Sequence, residues 1–485
     1  MATRSVRLYS TLSRTLEVLH PVNGRIGVYA CGPTVYRPPH IGNFRTFVFN
    51  DVLHRYLEWK GWNVTFVMNL TDVEDKIINA AIERNVSIGE ITAPVAQVFF
   101  RDLETLGIRP ADEYPRATQH IDDMVGLVRR LVERGHAYVR DGSVYYDISS
   151  FEEYGKLSRI DVAGMRTGAG LATREGGIDS DEYEKQDARD FALWKAAKDE
   201  DRRAGAAWPT PWGDGRPGWH IECSAMSMAA LGDTLDIHTG GEDLIFPHHE
   251  DEIAQSEGAT GKPFARFWLH VTHLKVNGQK MSKSLRNDYR ISDLIERGFT
   301  PAAIRLQLLQ AHYRNELNFS FDGLEDARIA VQRLVDFRRR LDETTTSDGA
   351  AATSLPALAI DVLARFEAAM DDDLNTPNAL AVVFPFVRDV NAALDGVQTV
   401  RPADLASARH AIDRMDDVLG VIELAHRDAD NADPEFVRWV EERLEARQAA
   451  RLRRDFAAAD SIRSELAAAG VVVEDTAQGP RWKKT

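Results

Sequence analysis

The pattern of apolar and polar positions changes character three times along the chain. Near the N-terminus, Arg25-Ile-Gly-Val-Tyr-Ala-Cys31 is a short apolar run of the kind that forms a buried strand. A loop containing Gly and Pro follows, and residues 41–60 then have the apolar spacing and length of a helix, stopped at Gly61. Val64-Thr-Phe-Val-Met-Asn69 reads as the next strand. Strand, helix and strand with short connections make a βαβ unit, which implies a parallel sheet and a right-handed crossover. Ligands of such sheets lie beyond the carboxyl ends of the strands, where Cys31 and the loop after it fall.

The second regime runs from about residue 116 to 214. A helical stretch (120–135) leads to a β-rich piece around 137–147, and a polar, Gly-containing segment follows at 164–184. This reads as an insertion within the first domain. The sheet is expected to resume near Trp219, with residues 234–238 as another strand. Beyond Ile291 the periodicity is almost wholly helical, broken by polar linkers at 342–354 and 428–434.

Composition narrows the class. A chain of 485 residues exceeds a single hydrophobic core, so two to four domains are expected. With 44% hydrophobic and 28% charged residues it has the balance of an ordinary soluble globular protein. No apolar stretch approaches twenty residues and residues 1–12 lack a signal-like run, so the expectation is a cytoplasmic protein with no membrane segment. The only cysteines, Cys31 and Cys223, are expected as reduced thiols rather than as a disulfide. A net charge of −16 excludes a surface that grips nucleic acid everywhere but permits a local basic face. The tail from Arg438 onward is far less acidic than the rest of the chain taken together, carrying Arg443, Arg447, Arg451, Arg453, Arg454, Arg463, Arg481, Lys483 and Lys484.

Three local signals carry chemistry. Pro39-His40-Ile41-Gly42-Asn43 lies between the first strand and its helix. Alone it is loop punctuation; with a nucleotide, the small Gly42 admits close approach and the helix N-terminus favours phosphate. Lys280-Met281-Ser282-Lys283-Ser284 follows a polar turn at Asn277-Gly278. A basic pentamer alone is a solvated loop, yet two lysines and two hydroxyls on a hinged loop can also neutralise charge developing in phosphoryl or adenylyl transfer. Finally, His248 and Glu252 are four residues apart and so project from one face of a helix. Such a pair is commonly a surface feature, but with Cys31 and Cys223 it makes a donor set suited to zinc.

The chain resembles the cysteinyl-tRNA synthetases, class I enzymes with a HIGH loop, a KMSKS loop and a zinc ion. The resemblance spans essentially the full length. It rests on Tyr29-Ala-Cys-Gly-Pro-Thr-Val-Tyr36, Asn69-Leu-Thr-Asp-Val-Glu-Asp-Lys76, Gly215-Arg-Pro-Gly-Trp-His-Ile-Glu-Cys-Ser-Ala-Met226 and His238-Thr-Gly-Gly-Glu-Asp-Leu-Ile-Phe-Pro-His-His-Glu250, with KMSKS 240 residues after His40. In the tail it rests on Asp455-Phe-Ala-Ala-Ala-Asp460 and Glu474-Asp-Thr-Ala-Gln-Gly479.

The resemblance implies an α/β fold. A Rossmann-type parallel-sheet catalytic domain (1–115 and 215–265) would carry a connective insertion (116–214). A KMSKS-loop and stem-contact region (266–325), a DALR-like helical bundle (326–427) and a small C-terminal anticodon-binding domain (435–485) would follow. It implies ATP-dependent activation of L-cysteine and its transfer to tRNA(Cys) by a monomer, with one Zn2+ per chain and Mg2+ accompanying ATP. The implied zinc ligands are Cys31, Cys223, His248 and Glu252; Thr71, Trp219 and Asp243 line the amino-acid site. His40, Gly42, Asn43, Lys280, Ser282 and Lys283 meet ATP, with His40, Asn43, Lys280 and Lys283 catalytic. Arg454, Asp460 and Asp475 are implied tRNA contacts. The chain departs from the family pattern where Asn43 replaces the second signature histidine, and in Ala302-Ala-Ile-Arg305, which keeps the arginine of an Asp-Ala-Leu-Arg-like string. Two alternatives stay open: a ligase joining the same adenylate to an amino-sugar acceptor, and a non-catalytic tRNA- or metal-binding module.

Overall fold

The computed structural model describes residues 5–22, 24–160, 190–282, 284–430, 434–469, 471–476 and 479–484. Within them the chain forms two compact units, 1–422 and 423–485. The 164–184 segment and Lys283 lie outside the described residues.

The first unit is organised by four parallel strands, β1 (Arg25–Ala30), β2 (Asn63–Met68), β3 (Leu235–Gly241) and β4 (Ala265–Val271), in the order β4-β3-β1-β2. The expected parallel sheet is therefore present. Helix α1 (Ile41–Trp59) connects β1 to β2, and the chain then returns to the other side of β1 to lay down β3. That reversal opens a crevice at the carboxyl ends of β1 and β3. The expected strand near Trp219 is instead helix α2 (Trp219–Leu231). Its residues Ile221 through Ser227 are all buried, so no polar face marks the helical period in the sequence. A second helix, α3 (Glu250–Thr260), packs beside it.

A separate antiparallel sheet is formed by Ala137–Arg140, Ser143–Tyr146, Phe191–Ala196 and Gly215–Pro217, the last strand lying just past the 214 boundary expected for the insertion. After β4, Leu274–Val276 turns through Asn277-Gly278, both at positive φ as a tight hairpin turn requires, into Gln279–Lys280. Beyond Ile291 come helices Ile291–Glu296 and Pro301–Leu309, and the mostly helical C-terminal part is then interrupted by Leu317–Phe319, which pairs in parallel with Leu274–Val276. Long helices follow at Phe321–Glu343, Leu355–Met370, Thr376–Asp395 and Pro402–Leu419. Proline sits in the first turn of the last three, where its missing N–H costs no bond. The second unit contains helices Pro434–Leu452 and Phe456–Ala468 and the hairpin Val471–Thr476/Gly479–Lys484, closed over Val440, Leu444, Leu466 and Val471.

Helix α1 is buried on nearly every side, and its interior polar residues need partners. Asp51 receives Arg55 and Arg305 side chains and the Arg109 amide. Arg305 also donates to the carbonyls of Leu106 and Leu419, and Arg55 to those of Gly107 and Asp417. One buried ionic knot thus ties α1 to the C-terminal helices of the same unit. Burial opposes the Asp51 charge, but Arg305 and Arg55 hold its pKa below the usual carboxylate value. A folded-state pKa below the unfolded one means stability that is present above roughly pH 4 and lost as the pH falls through the lowered folded value. Arg305→Met is expected to destabilise this unit by about 3–5 kcal/mol, because it strands part of a buried charge. Urea unfolding checks this, and a loss under about 1 kcal/mol would make the knot incidental.

Candidate metal and nucleotide site

Most of the implied active-site residues that are described lie beyond the carboxyl end of a main-sheet strand, whereas Trp219 and Cys223 come from α2, which follows the antiparallel sheet and leads into β3. Cys31 ends β1, its amide donating to Thr239 O of β3 (3.0 Å). The next residue, Gly32, donates to Asn69 Oδ1 (2.9 Å), and a Cβ there would collide with the Asn69 carbonyl. Thr71, buried in the loop after β2, accepts from Asn69 Nδ2 (3.2 Å), while its backbone pairs with Pro33 and Val35. Asp243 follows β3 and is exposed, yet its charge acts on both Cys31 and His40. Asp243 therefore sits electrically between the thiols and the histidine loop.

Cys31, Cys223 of α2, His248 and Glu252 of α3 converge with their ligand atoms within 4.8 Å of one another, all buried. The two Sγ atoms are 3.9 Å apart. Zinc–sulfur bonds of about 2.3 Å at a tetrahedral angle put two thiolates about 3.8 Å apart, whereas a disulfide needs about 2.05 Å. The donor set fits a thiophilic divalent ion. His248 Nε2 lies 2.8 Å from Glu252 Oε1, and His238 Nε2 meets the other carboxylate oxygen at 2.7 Å. Trp219 stacks on His248 with centroids 4.3 Å apart.

The polarity of the cluster is set by its own members. The hydrogen bond from Cys31 draws the Cys223 pKa down to about 6, whereas burial, with Cys223 beside it, pushes the Cys31 thiol well up. Burial opposes charge on His248, but Glu252 and Cys223 raise it to about 10. Burial likewise opposes the Glu252 charge, and His238 and His248 hold that carboxylate down at about 2. Binding a cation here would require releasing protons from Cys31 and His248, since metal ligands act deprotonated.

Sequence reasoning missed the second layer. His249 Nε2 approaches Cys31 Sγ at 3.4 Å, and its Nδ1 meets His270 Nε2 at 2.7 Å; His270 Nδ1 in turn meets Thr11 Oγ1 at 2.7 Å. His238, His249 and Cys31 form an alternative donor set with Glu252. The adjacency of His248 and His249 was the available signal. Glu222, beside Cys223, is buried against Asp72 and Glu74; burial and these negative neighbours raise its pKa well above the carboxylate range.

The second half of the site is the loop pair. His40 caps α1: its Nδ1 accepts from Asn43 N (3.3 Å), and Asn43 Oδ1 accepts from His40 N (3.1 Å). Burial and Arg37 lower the His40 pKa, keeping Nδ1 free to accept. A Cβ on Gly42 would fall 2.5 Å from Met281 Cε, and Ile41 N donates to Tyr289 O at 2.8 Å, so the two loops touch. The lysine loop is braced by Asn287, which accepts from Ser282 N (2.7 Å) and donates to Lys280 O (3.2 Å). Lys280 is exposed. In the second unit, Arg454 and Asp460 are exposed and Asp475 lies on Val471–Thr476.

A crevice at the strand-order reversal, lined by a helix N-terminus and a basic loop, defines a nucleotide-using α/β enzyme. Known proteins agree with that class and narrow it. At the level of fold, the chain is similar to a Mycobacterium tuberculosis methionyl-tRNA synthetase bound by methionyl-adenylate, with TM-score 0.58, 17% identity, and 82% of this chain and 90% of that one covered. Residues 17–329 match the family profile described as "tRNA synthetases class I (C) catalytic domain", 365–423 the "DALR domain", and 433–482 the "Cysteinyl-tRNA ligase anticodon binding domain". Curated relatives include a cysteine–tRNA ligase of Solibacter usitatus, 45% identical over 99% of this chain and 100% of the relative. Another, from Koribacter versatilis, is 44% identical over 99% and 100%. The chain belongs to the cysteinyl-tRNA synthetase family of class I enzymes. No helix among the described residues is long and apolar enough to cross a membrane.

Cys223→Ser is expected to abolish stoichiometric divalent-metal binding, and His238→Ala to weaken it about 10–100-fold by freeing the Glu252 carboxylate. Metal-to-protein ratios after dialysis check both. Full retention by a folded Cys223→Ser protein would remove the cluster as a metal centre.

Proposed function

We propose that this protein is a cysteine–tRNA ligase that forms cysteinyl-adenylate from L-cysteine and ATP and passes the cysteinyl group to the 3′ end of tRNA(Cys). The observation that carries the reading is the buried Cys31, Cys223, His248 and Glu252 cluster in a crevice shared with the His40 and Lys280 loops. These four residues would hold a zinc ion. When bound, it supplies a thiophilic Lewis acid that selects the substrate's sulfur over a serine hydroxyl or an alkyl side chain. Shape alone discriminates by only about 1–3 kcal/mol per methylene.

The chain's own residues do the rest. Trp219, stacked on His248, walls the thiol pocket; Thr71 meets a polar end of cysteine, and Asp243 pairs with its ammonium. The N-terminus of α1, through His40, Gly42 and Asn43, receives ATP with its Mg2+; Lys280, Ser282 and Lys283 close over the phosphates. A cysteine carboxylate oxygen attacks the α-phosphorus, forming a new P–O bond while the bond to the β-phosphate oxygen breaks and pyrophosphate leaves. The terminal ribose hydroxyl of tRNA then attacks the adenylate carbonyl and AMP departs. No side-chain nucleophile takes part; positioning and charge neutralisation lower the barrier.

In this reading residues 1–115 and 215–265 form the catalytic domain, 116–214 its insertion, 266–325 the stem-contact region and 326–427 the bundle. Residues 435–485 read the anticodon through Arg454, Asp460 and Asp475. The enzyme works as a cytoplasmic monomer.

Amino-acid-dependent ATP–pyrophosphate exchange on zinc-loaded protein tests the reading. Exchange is expected with cysteine, with serine, alanine and valine each lower by at least about 10³-fold. Charging of tRNA(Cys) must follow. Absent exchange with cysteine would leave a binding module, and exchange without charging would point to another acceptor.

A further inference from the structure

Arg45 lies on α1 five residues after His40 and is buried, yet none of its hydrogen bonds goes to a carboxylate. Its guanidinium donates instead to four main-chain carbonyls. Nη1 reaches Thr272 O (2.7 Å) and His273 O (2.8 Å); Nη2 reaches His312 O (3.1 Å) and Asn315 O. Those carbonyls fall in two places. Thr272 and His273 immediately precede strand Leu274–Val276, while His312 and Asn315 precede Leu317–Phe319, its parallel neighbour. The third strand of that small sheet, Gln279–Lys280, carries Lys280 and leads into Met281 and Ser282. One side chain on the helix that begins with the His40 loop therefore grips the entry of both strands on which the lysine hairpin rests. Burial lowers the Arg45 pKa to about 10, with Glu242 and Glu316 opposing, so it remains a cation at neutral pH.

Farther along α1, the Asp51 knot fixes the helix to other segments, so Arg45 acts at the end nearest the His40 loop. Beside the Ile41 N to Tyr289 O bond at the very start of α1, Arg45 is the side chain that joins this helix to the two strands of the lysine platform. We propose that Arg45 is a positioning residue for adenylyl transfer, holding the Lys280 hairpin at its working distance from His40 through the carbonyls at the head of its two supporting strands. This rests on the functional reading above. Lysine keeps the charge but cannot present the planar fork that meets four acceptors at once.

The test uses full-length, zinc-loaded Arg45→Lys and Arg45→Gln in cysteine-dependent pyrophosphate exchange, alongside hydrogen exchange of the 272–290 amides. The expected result is a kcat lower by at least about tenfold, since small misplacements of reacting groups cost up to about 10²-fold. KM for cysteine should stay within about twofold, because the thiol pocket is built on other elements, and amide exchange should quicken around the hairpin but not in β1 to β4. Arg45→Lys should be the less impaired of the two. A folded variant with wild-type kcat would overturn the proposal. So would a fall in kcat accompanied by a raised KM for cysteine and general loosening of the sheet, which marks a staple only. Wild-type protein inactive with cysteine would instead sink the functional reading itself.

Discussion

A carboxylate with no access to water must be satisfied on both oxygens, and Glu252 is such a group. His248 takes one oxygen and His238 the other, so residues from β3, α3 and the turn between them are bound to a single point. Leaving such a charge unpaired inside the protein costs several kcal/mol, and that constraint fixes the rest. His238 must face the interior on β3 and α3 must start directly above it. The thiols of Cys31 and Cys223 are then carried to the same spot by the strand and the helix packed on either side.

From that point the arrangement of the crevice follows. The sheet reverses its order between β1 and β3, so the loops after those strands splay apart around the Cys31, Cys223, His248 and Glu252 cluster. Thr71 and Asp243 arrive on the loops after β2 and β3, and the lysine hairpin on the segment after β4. The chemistry is distributed over every strand of the sheet, which makes strand register the variable that sets pocket geometry. Gly32 illustrates how tight that register is: any side chain there would drive the β1 and β2 loops apart.

Much of this was legible before any coordinates. Strands β1 and β2 and helix α1 emerge from periodicity to within one residue at either end, because short connections and a buried sheet leave strong apolar runs. Helix α2 was misread as the place where the sheet resumes, since a helix buried all round carries no amphipathic signature. In the Cys31, Cys223, His248 and Glu252 cluster, the His248–Glu252 pair was legible from its four-residue spacing, whereas its meeting with the two cysteines was implied only by the resemblance, since their sequence separations say nothing about which elements meet. His238, His270, Asn287 and Arg45 were invisible for a common reason. Each is a polar residue in an apolar run or an ordinary loop, and its role is set by partners distant in sequence.

Asn43 shows how a departure from a family motif acquires a physical meaning once the partners are known. Its side-chain oxygen accepts from the His40 amide while its own amide donates to His40 Nδ1. That second bond fixes the His40 tautomer: Nδ1 must be unprotonated, so in the neutral ring the proton is on Nε2. Burial and the Arg37 charge keep the ring neutral to a lower pH than a free imidazole. A histidine at position 43 could make the reciprocal contact only by leaving one of its own nitrogens unprotonated as well. Asparagine does the same capping with an oxygen that never titrates. The asparagine half of the cap is therefore independent of pH, and only the bond into His40 Nδ1 is lost once that ring protonates, at a pH below that of a free imidazole.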